Sequence, residues 1–300
     1  MIISTDNSVL RSAIGDIEAM RLIAEAGFDG IDYSFYGISP DNDILEFGDA
    51  EREKLAFEIK EYAGKAGLVF PQCHAELAYR YGNIEIGEHH PVYRRVVRSL
   101  EYASRIGCPQ AVIHTLRCPL DMDDATSDII NLEFMRSFIP YAEKYGLYIG
   151  VENLFKNDKK NARFIGRHHT PEWMNSFVER LGSDLFRVCV DTGHAEICGT
   201  RADELIRGIT PGKLTMLHVQ DTDLTADRHW LPMLGSHDWE ALTSALAETG
   251  YEGSMNLEVL HFYDRFPPEL FGSALKLAAD TARYLASRVD EKRGAIEAGR

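Results

Sequence analysis

Six apolar runs in this chain end on side chains that can bind a metal or carry a proton. His74 follows Phe70–Cys73, His114 follows Ala111–Ile113, and Glu152 follows Ile149–Val151. Asp191 follows Val188–Val190 with His194 three residues on, His218 follows Met216-Leu217, and Glu258 follows Asn256-Leu257. Each alone has an ordinary explanation: a hydrogen-bonded structural histidine, or, for Asp191 ahead of Thr192-Gly193-His194, a helix N-cap. Glu152 and Glu258 are harder to explain that way. Each lies inside an apolar strand, where an unpaired carboxylate is costly to bury and a cation is the natural compensation. Carboxylates beside an imidazole, with no thiolate, suit Mn2+, Mg2+ or Co2+, leave Zn2+ and Fe2+ open, and disfavour a structural zinc site.

The elements that must position these residues alternate regularly. Strand-like runs fall at Ile2–Thr5, Gly30–Ser34, Leu68–Cys73, Gln110–Thr115, Leu147–Glu152, Phe186–Asp191, Leu214–Val219 and Ser254–Val259. Several are apolar at nearly every position, as strands covered on both faces are. Helical patterns separate them: Asp16–Glu25, Asp49–Lys65, Val92–Arg105, Asp128–Tyr145, Pro171–Leu181, Ala202–Arg207, Trp239–Glu248 and Pro268–Val289. Eight such units predict an α/β fold, a single (β/α)8 TIM barrel over residues 1–289. The charged stretch 290–300 is expected to fray. A doubly wound nucleotide fold is the alternative, but neither GxGxxG nor GxxxxGK[ST] occurs. In a barrel the C-terminal strand ends build the active site, which is where the six candidates stand.

Bulk composition narrows the function. The 300 residues carry a formal charge of -15, a poor start for a nucleic-acid groove or an anionic membrane surface. Five cysteines without a CxxC pair argue against a disulfide framework. No basic, apolar leader and no 18-residue apolar run is present, so a cytoplasmic enzyme without membrane or nucleic-acid partners is expected. Loop aromatics Tyr33, Phe35, Tyr36, Tyr79, Tyr81 and Trp230 could roof a small ligand or simply pack. Lys159, Lys160, Arg163 and Arg167 read as solvated charge rather than as a phosphate site.

The segments VENL (151–154), VDTGHA (190–195), LHVQD (217–221), LEV (257–259) and DRHWLPMLGSHDW (227–239) resemble those of the sugar phosphate isomerase/epimerase family, the xylose isomerase-like barrels. That family includes ketose 3-epimerases, hydroxypyruvate isomerase and inosose dehydratase. The resemblance spans nearly the whole chain. It implies one divalent metal, Mn2+ first among the candidates, held by Glu152, Asp191, His218 and Glu258. It implies that Glu152 and Glu258 also move protons, that His194 grips substrate oxygens, and that dimers or tetramers form. His74, His114 and His229 complete an outer ring with His194, expected to bind a small-molecule sugar substrate. The implied reaction removes a proton beside a carbonyl through a metal-stabilised enediolate. Return of the proton to the same carbon epimerises, return to the neighbouring carbon isomerises, and loss of a hydroxyl dehydrates.

Two features pull against a simple transfer. The loop usually reads Gly-x-Gly before its acidic-Trp pair, and here the second glycine gives way to Ser236 or His237. Endonuclease IV-like enzymes of the same superfamily, which cut DNA with three zinc ions, use an order of ligand types that His74, His114, Glu152, Asp191, His194, His218, Asp227, His229 and Glu258 can supply. Net charge and the 217–221 and 235–239 segments favour the sugar enzymes.

Overall fold

The computed structural model describes residues 1–36, 43–77 and 80–299. Its strands are β1 (Ile3–Asp6), β2 (Gly30–Ser34), β3 (Val69–His74), β4 (Gln110–Ile113), β5 (Tyr148–Glu152), β6 (Leu154–Asp158), β7 (Arg163–Arg167), β8 (Phe186–Asp191), β9 (Leu214–His218) and β10 (Met255–Leu257). The helices are α1 (Ser8–Ile14), α2 (Asp16–Ala26), α3 (Asp49–Ala66), α4 (Pro91–Ile106), α5 (Asp124–Arg136), α6 (Ile139–Tyr145), α7 (Pro171–Leu181), α8 (Thr192–Ile197), α9 (Ala202–Gly208), α10 (Trp239–Glu248), α11 (Leu260–Tyr263) and α12 (Phe271–Ala298). Eight parallel strands pair in the order β10-β1-β2-β3-β4-β5-β8-β9. The ring closes between β9 and β10, where the Val219 N–H donates to Asn256 O at 2.9 Å and the Glu258 N–H to Val219 O at 3.0 Å. The chain is therefore the (β/α)8 barrel that the alternation predicts.

The helices form because their apolar residues fall on one stripe. In α4 the buried residues Tyr93, Val96, Val97, Leu100 and Ala103 follow the i, i+3, i+4, i+7 spacing that lays one face on the sheet. The Gly107 N–H then returns to Ala103 O and Ser104 O in the left-handed conformation, stopping the helix.

Side chains alternate across a strand, so each strand sends residues i and i+2 into the barrel. The lower interior layer is part apolar and part polar. Val112, Cys189 and Met216 form one small cluster. Ser4, Asp32, Gln72 and Asn256 form a hydrogen-bonded set, with Gln72 Nε2 and Asn256 Nδ2 each 2.8 Å from Asp32 Oδ2 and Ser4 Oγ 2.8 Å from Asn256 Oδ1. Gly150 completes the layer, since a Cβ there would lie 2.7 Å from the Met216 methyl. Two residues further on, the same strands deliver Asp6, Ser34, His74, His114, Glu152, Asp191, His218 and Glu258 to the rim.

Three sequence expectations change. The helix expected over Asp128–Tyr145 is two: Asp123 caps α5 by accepting from the Thr126 N–H, and Pro140, without an N–H, forces a break before α6. Residues 290–298 are helical rather than frayed. Lys292 reaches Glu240 O, Thr243 Oγ1 and Ser244 Oγ, and the N-terminal ammonium lies 2.8 Å from Asp290. Tyr33 and Phe35 are core residues, packed with Tyr102, and not a roof. Tyr79 lies outside the described residues.

Candidate metal centre and active site

Glu152 is the hub of the rim layer. Its Oε1 lies 3.2 Å from both His218 Nδ1 and His194 Nδ1, and its Oε2 lies 2.8 Å from His114 Nε2. His218 Nδ1 is also 3.5 Å from Glu258 Oε2. Glu152, Asp191, His218 and Glu258 bring ligand atoms within 4.8 Å of one another, and all four are buried. Among the described residues, Glu152 Oε1 and both His218 ring nitrogens have no hydrogen-bond partner. Buried polar atoms are almost always satisfied. Two unsatisfied atoms 3.2 Å apart, on a carboxylate and an imidazole, fit a shared cation.

Two further triads flank this basin: His74, His114 and Glu152 on one side, His194, Asp227 and His229 on the other. Three of the histidines have Nδ1 against a backbone carbonyl: His74 against Ala75 O at 2.8 Å, His194 against Asn153 O at 3.0 Å and His229 against Glu258 O at 2.9 Å. A carbonyl only accepts, so each Nδ1 carries a proton, and Nε2 is the nitrogen that offers a lone pair when the ring is neutral, as metal binding requires. Those Nε2 atoms face His114 Nε2 at 2.9 Å and Asp227 Oδ2 at 3.5 and 3.1 Å. His218 is turned the other way, with Nε2 at ion-pair distance from the buried Asp32, 3.5 Å without a hydrogen bond, and Nδ1 facing the basin. One nitrogen anchored and the other presented is how metal-binding imidazoles are oriented.

Electrostatics point the same way. Burial opposes charging of His218, His194 and His229, yet surrounding acidic groups outweigh it and raise all three: Cys189, Glu258 and Glu152 for His218, and chiefly Asp191 and Asp227 for His194 and Asp227 for His229, which rises to about 10. His114, where burial dominates, falls to about 4. Burial also opposes ionisation of Glu152, but His218 and His114 pull its carboxyl well below the usual range. Glu258 moves oppositely: burial, only partly offset by His218 and His229, raises it to about 7. Carboxyl groups driven apart in this way in one cleft are candidates for different roles in proton transfer.

The pocket above the basin encloses about 200 Å³. Besides site residues it is lined by Tyr36, Leu77, Arg117, Leu154, Phe155 and Leu260. The Tyr36 hydroxyl lies 3.3 Å from Glu258 Oε1 and 3.1 Å from Asp6 Oδ2. Of the other expected roof aromatics, neither Tyr81 nor Trp230 lines it. Gln220 braces the far triad, its Nε2 contacting Asp191 Oδ1 at 3.2 Å and Asp227 Oδ1 at 2.9 Å while its Oε1 accepts from the His229 N–H. The altered 234–239 loop is seated on Asp221, which accepts from the N–H groups of Thr222, Met233 and His237 and from Trp239 Nε1. Gly235 packs against that carboxylate, where a Cβ would sit 2.2 Å from Asp221 Oδ1. Only main-chain N–H groups are needed at 236 and 237, so a second glycine is dispensable.

A family profile described as xylose isomerase-like TIM barrel matches residues 20–287. The chain belongs to this family. An uncharacterized protein, y4fM, from Sinorhizobium fredii is 27% identical over 282 residues, covering 80% of this chain and 79% of its own. Another uncharacterized protein, MJ1311 from Methanocaldococcus jannaschii, is 26% identical over 164 residues, 53% of this chain and 54% of its own. Among solved xylose isomerase-like barrels, a D-tagatose 3-epimerase-like protein superposes with a TM-score of 0.71 at 18% identity, covering 97% of this chain and 99% of that one. An L-ribulose 3-epimerase gives 0.71 at 19%, covering 99% and 97%. A 3-keto-D-glucoside 4-epimerase from E. coli gives 0.67 at 17%, covering 93% and 98%. These likenesses establish the shared fold.

All eight expected site residues, His74, His114, Glu152, Asp191, His194, His218, His229 and Glu258, meet in this one basin. Sequence reasoning missed Asp6, Asp32 and Gln220, named Tyr36 only among the aromatics that could roof a ligand or simply pack, and placed Asp227 only in the nuclease-like set. The polar pairs Ser4/Asp6 and Asp32/Ser34 inside otherwise apolar strands were the available signal for the first two.

Proposed function

We propose that this protein is a divalent-metal-dependent isomerase or epimerase acting on a sugar or sugar-like keto/hydroxy substrate. The observation that carries the reading is the buried set Glu152, Asp191, His218 and Glu258, whose ligand atoms lie within 4.8 Å of one another, with Glu152 Oε1 and His218 Nδ1 lacking any hydrogen-bond partner among the described residues. A divalent ion held by Glu152, Asp191, His218 and Glu258 would polarise a carbonyl oxygen and stabilise negative charge developing on it. The low-pKa Glu152 carboxylate is the group suited to accept a proton from the carbon beside the carbonyl. Glu258, reaching the same basin from β10, is the group suited to return one. Tyr36 orients the Glu258 carboxyl, and Leu154, Phe155 and Leu260 give the pocket an apolar wall. Its volume of about 200 Å³ suits a single small molecule.

One observation favours a second reading. The flanking triads complete the nine-residue set of a three-zinc phosphodiesterase, with their lone pairs already aimed inward. The charge of -15 and the small enclosed pocket weigh against nucleic acid as its substrate. One experiment tests both. Metal content is measured by elemental analysis, and the loaded protein is incubated in D2O with ketoses, keto-inositols and hydroxypyruvate. One Mn2+-like ion with deuterium appearing beside the carbonyl is expected. Three zinc ions with no exchange, and cleavage of a phosphodiester, would replace the first reading by the second.

A further inference from the structure

We propose that the substrate of this pocket carries an anionic group, a phosphate or a carboxylate, received by Arg117 with Arg80 and Lys156 beside it. The inference rests on the proposed reading of the pocket as a substrate site and adds a charge class to it.

Arg117 is the sole Lys or Arg among the described residues that line the cavity. It is exposed, and its guanidinium makes no hydrogen bond or ion pair with any described residue. Its main chain is bridged to that of Arg80, from the loop after β3, and the Tyr81 N–H donates to Arg117 O at 3.3 Å. Arg80 has no ion-pair partner among the described residues either. Like charges set directly across paired strands repel and destabilise the pairing. Lys156, on the hairpin after β5, points its ammonium at Pro119 O, 2.7 Å away and two residues beyond Arg117, with no carboxylate in ion-pair range. Burial, more than its neighbour Arg167, lowers its pKa.

This grouping departs from the rest of the molecule. Acidic residues outnumber basic ones 47 to 32, and nearby arginines are neutralised. Arg95 pairs with Asp43 and Glu76, Arg163 with Asp158, Arg167 with Asp124 and Arg228 with Asp223. The two arginines after β5 are therefore committed within the protein, while Arg80, Arg117 and Lys156, from the loops after β3, β4 and β5, have no carboxylate partner among the described residues, and Arg117 lines the cavity. A guanidinium fork binds phosphate or carboxylate oxygens bidentately. With the reacting end of a substrate in the basin, an anionic group on Arg117 fixes which way the molecule lies. A neutral sugar would leave the Arg117 guanidinium to solvent.

The test titrates metal-loaded, full-length protein calorimetrically with inorganic phosphate and with acetate, for the wild type and for Arg117→Ala, Arg117→Lys and Arg80→Ala at equal metal content. Loss of a charged hydrogen-bonded contact is expected to weaken anion binding about tenfold or more in Arg117→Ala. A smaller loss is expected in Arg117→Lys, which keeps the charge without the fork, and in Arg80→Ala. Preference for phosphate assigns a phosphorylated substrate; preference for acetate assigns a sugar acid. No binding of either anion to the wild type, or equal binding to Arg117→Ala, overturns the proposal. Turnover is not part of the readout, so a failed isomerase assay and a failed anion site are separate results.

Discussion

Glu258 and Glu152 share one imidazole, and the difference between them has measurable consequences. Glu152→Gln and Glu258→Gln each remove a proton acceptor while keeping side-chain volume. Deuterium exchange with an active substrate is expected to fall about 10²–10⁴-fold, with the thermal midpoint of the chelator-treated protein little changed. Metal affinity should also follow pH in a defined direction. A bound cation needs Glu258 ionised and His218 neutral at Nδ1. Glu258 sits at about 7 and His218 is raised well above its ordinary value, so binding displaces both protons below pH 7. Affinity should therefore climb with pH, by up to about 100-fold per unit below 7 and about tenfold per unit just above it. Chelator competition between pH 5.5 and 8 reads this directly, and a flat profile would remove Glu258 and His218 from the ligand set.

At the scale of elements, the segment between β9 and α10 carries Asp227 and His229 into the site. Leu224, His229 and Met233 in it hold positive φ values of 65°, 45° and 77°, which bulky L-residues adopt only when surrounding structure compels them. Side-chain acceptors hold each main chain in place: Thr222 Oγ1 accepts from the Leu224 N–H, Gln220 Oε1 from that of His229, and Asp221, fully buried beneath four N–H donors, from that of Met233. Asp221→Ala leaves those donors without an acceptor. At about 1–3 kcal/mol for each unsatisfied buried group, a loss of at least roughly 3 kcal/mol is expected, even with water reaching some of them. Urea unfolding followed by tryptophan emission measures it, since Trp239 is one of the four donors. An unchanged midpoint would mean that the loop is held by something other than this carboxylate. The hairpin β6–β7 makes a similar point about context. It follows Glu152 after a single residue, and its five paired positions continue the chain outside the barrel rather than within it.

For the whole molecule, the rim buries Glu152, Asp191 and Glu258 together, where a cation would relieve their charge. Removing bound metal with a chelator should lower the melting temperature, because a ligand at 100 times its Kd stabilises the fold by about 2.7 kcal/mol, worth several degrees. Calorimetry before and after chelation, and again after adding Mn2+, gives the shift; no change would argue against a bound ion at the rim. Among the described residues no helix is long and apolar enough to cross a membrane. The helical C-terminus ties the ends of the chain together through Asp290 and the N-terminal ammonium, binding the last helix across the seam where β1 meets β10.

The barrel and its candidate rim residues were legible in the sequence because both depend on local regularities. Strand and helix periods, glycines at helix ends and a polar residue closing each apolar run are properties of neighbours along the chain. The partners of those residues were not legible. Asp32 under His218, Tyr36 beside Glu258, Gln220 across Asp191 and Asp227, and unpaired Arg117 next to Arg80 join residues from different βα units. Their contacts arise only when the sheet closes and its stagger sets which i and i+2 positions share a layer. Even Asp290–Ala298, charged enough to read as a tail, is ordered by contacts with α10 and the N-terminus that no local pattern encodes. Thus the sequence by itself determined which strands carry reactive side chains. Tertiary structure decided which of those side chains face one another, which nitrogen of each histidine is presented, and which cations are left without a partner.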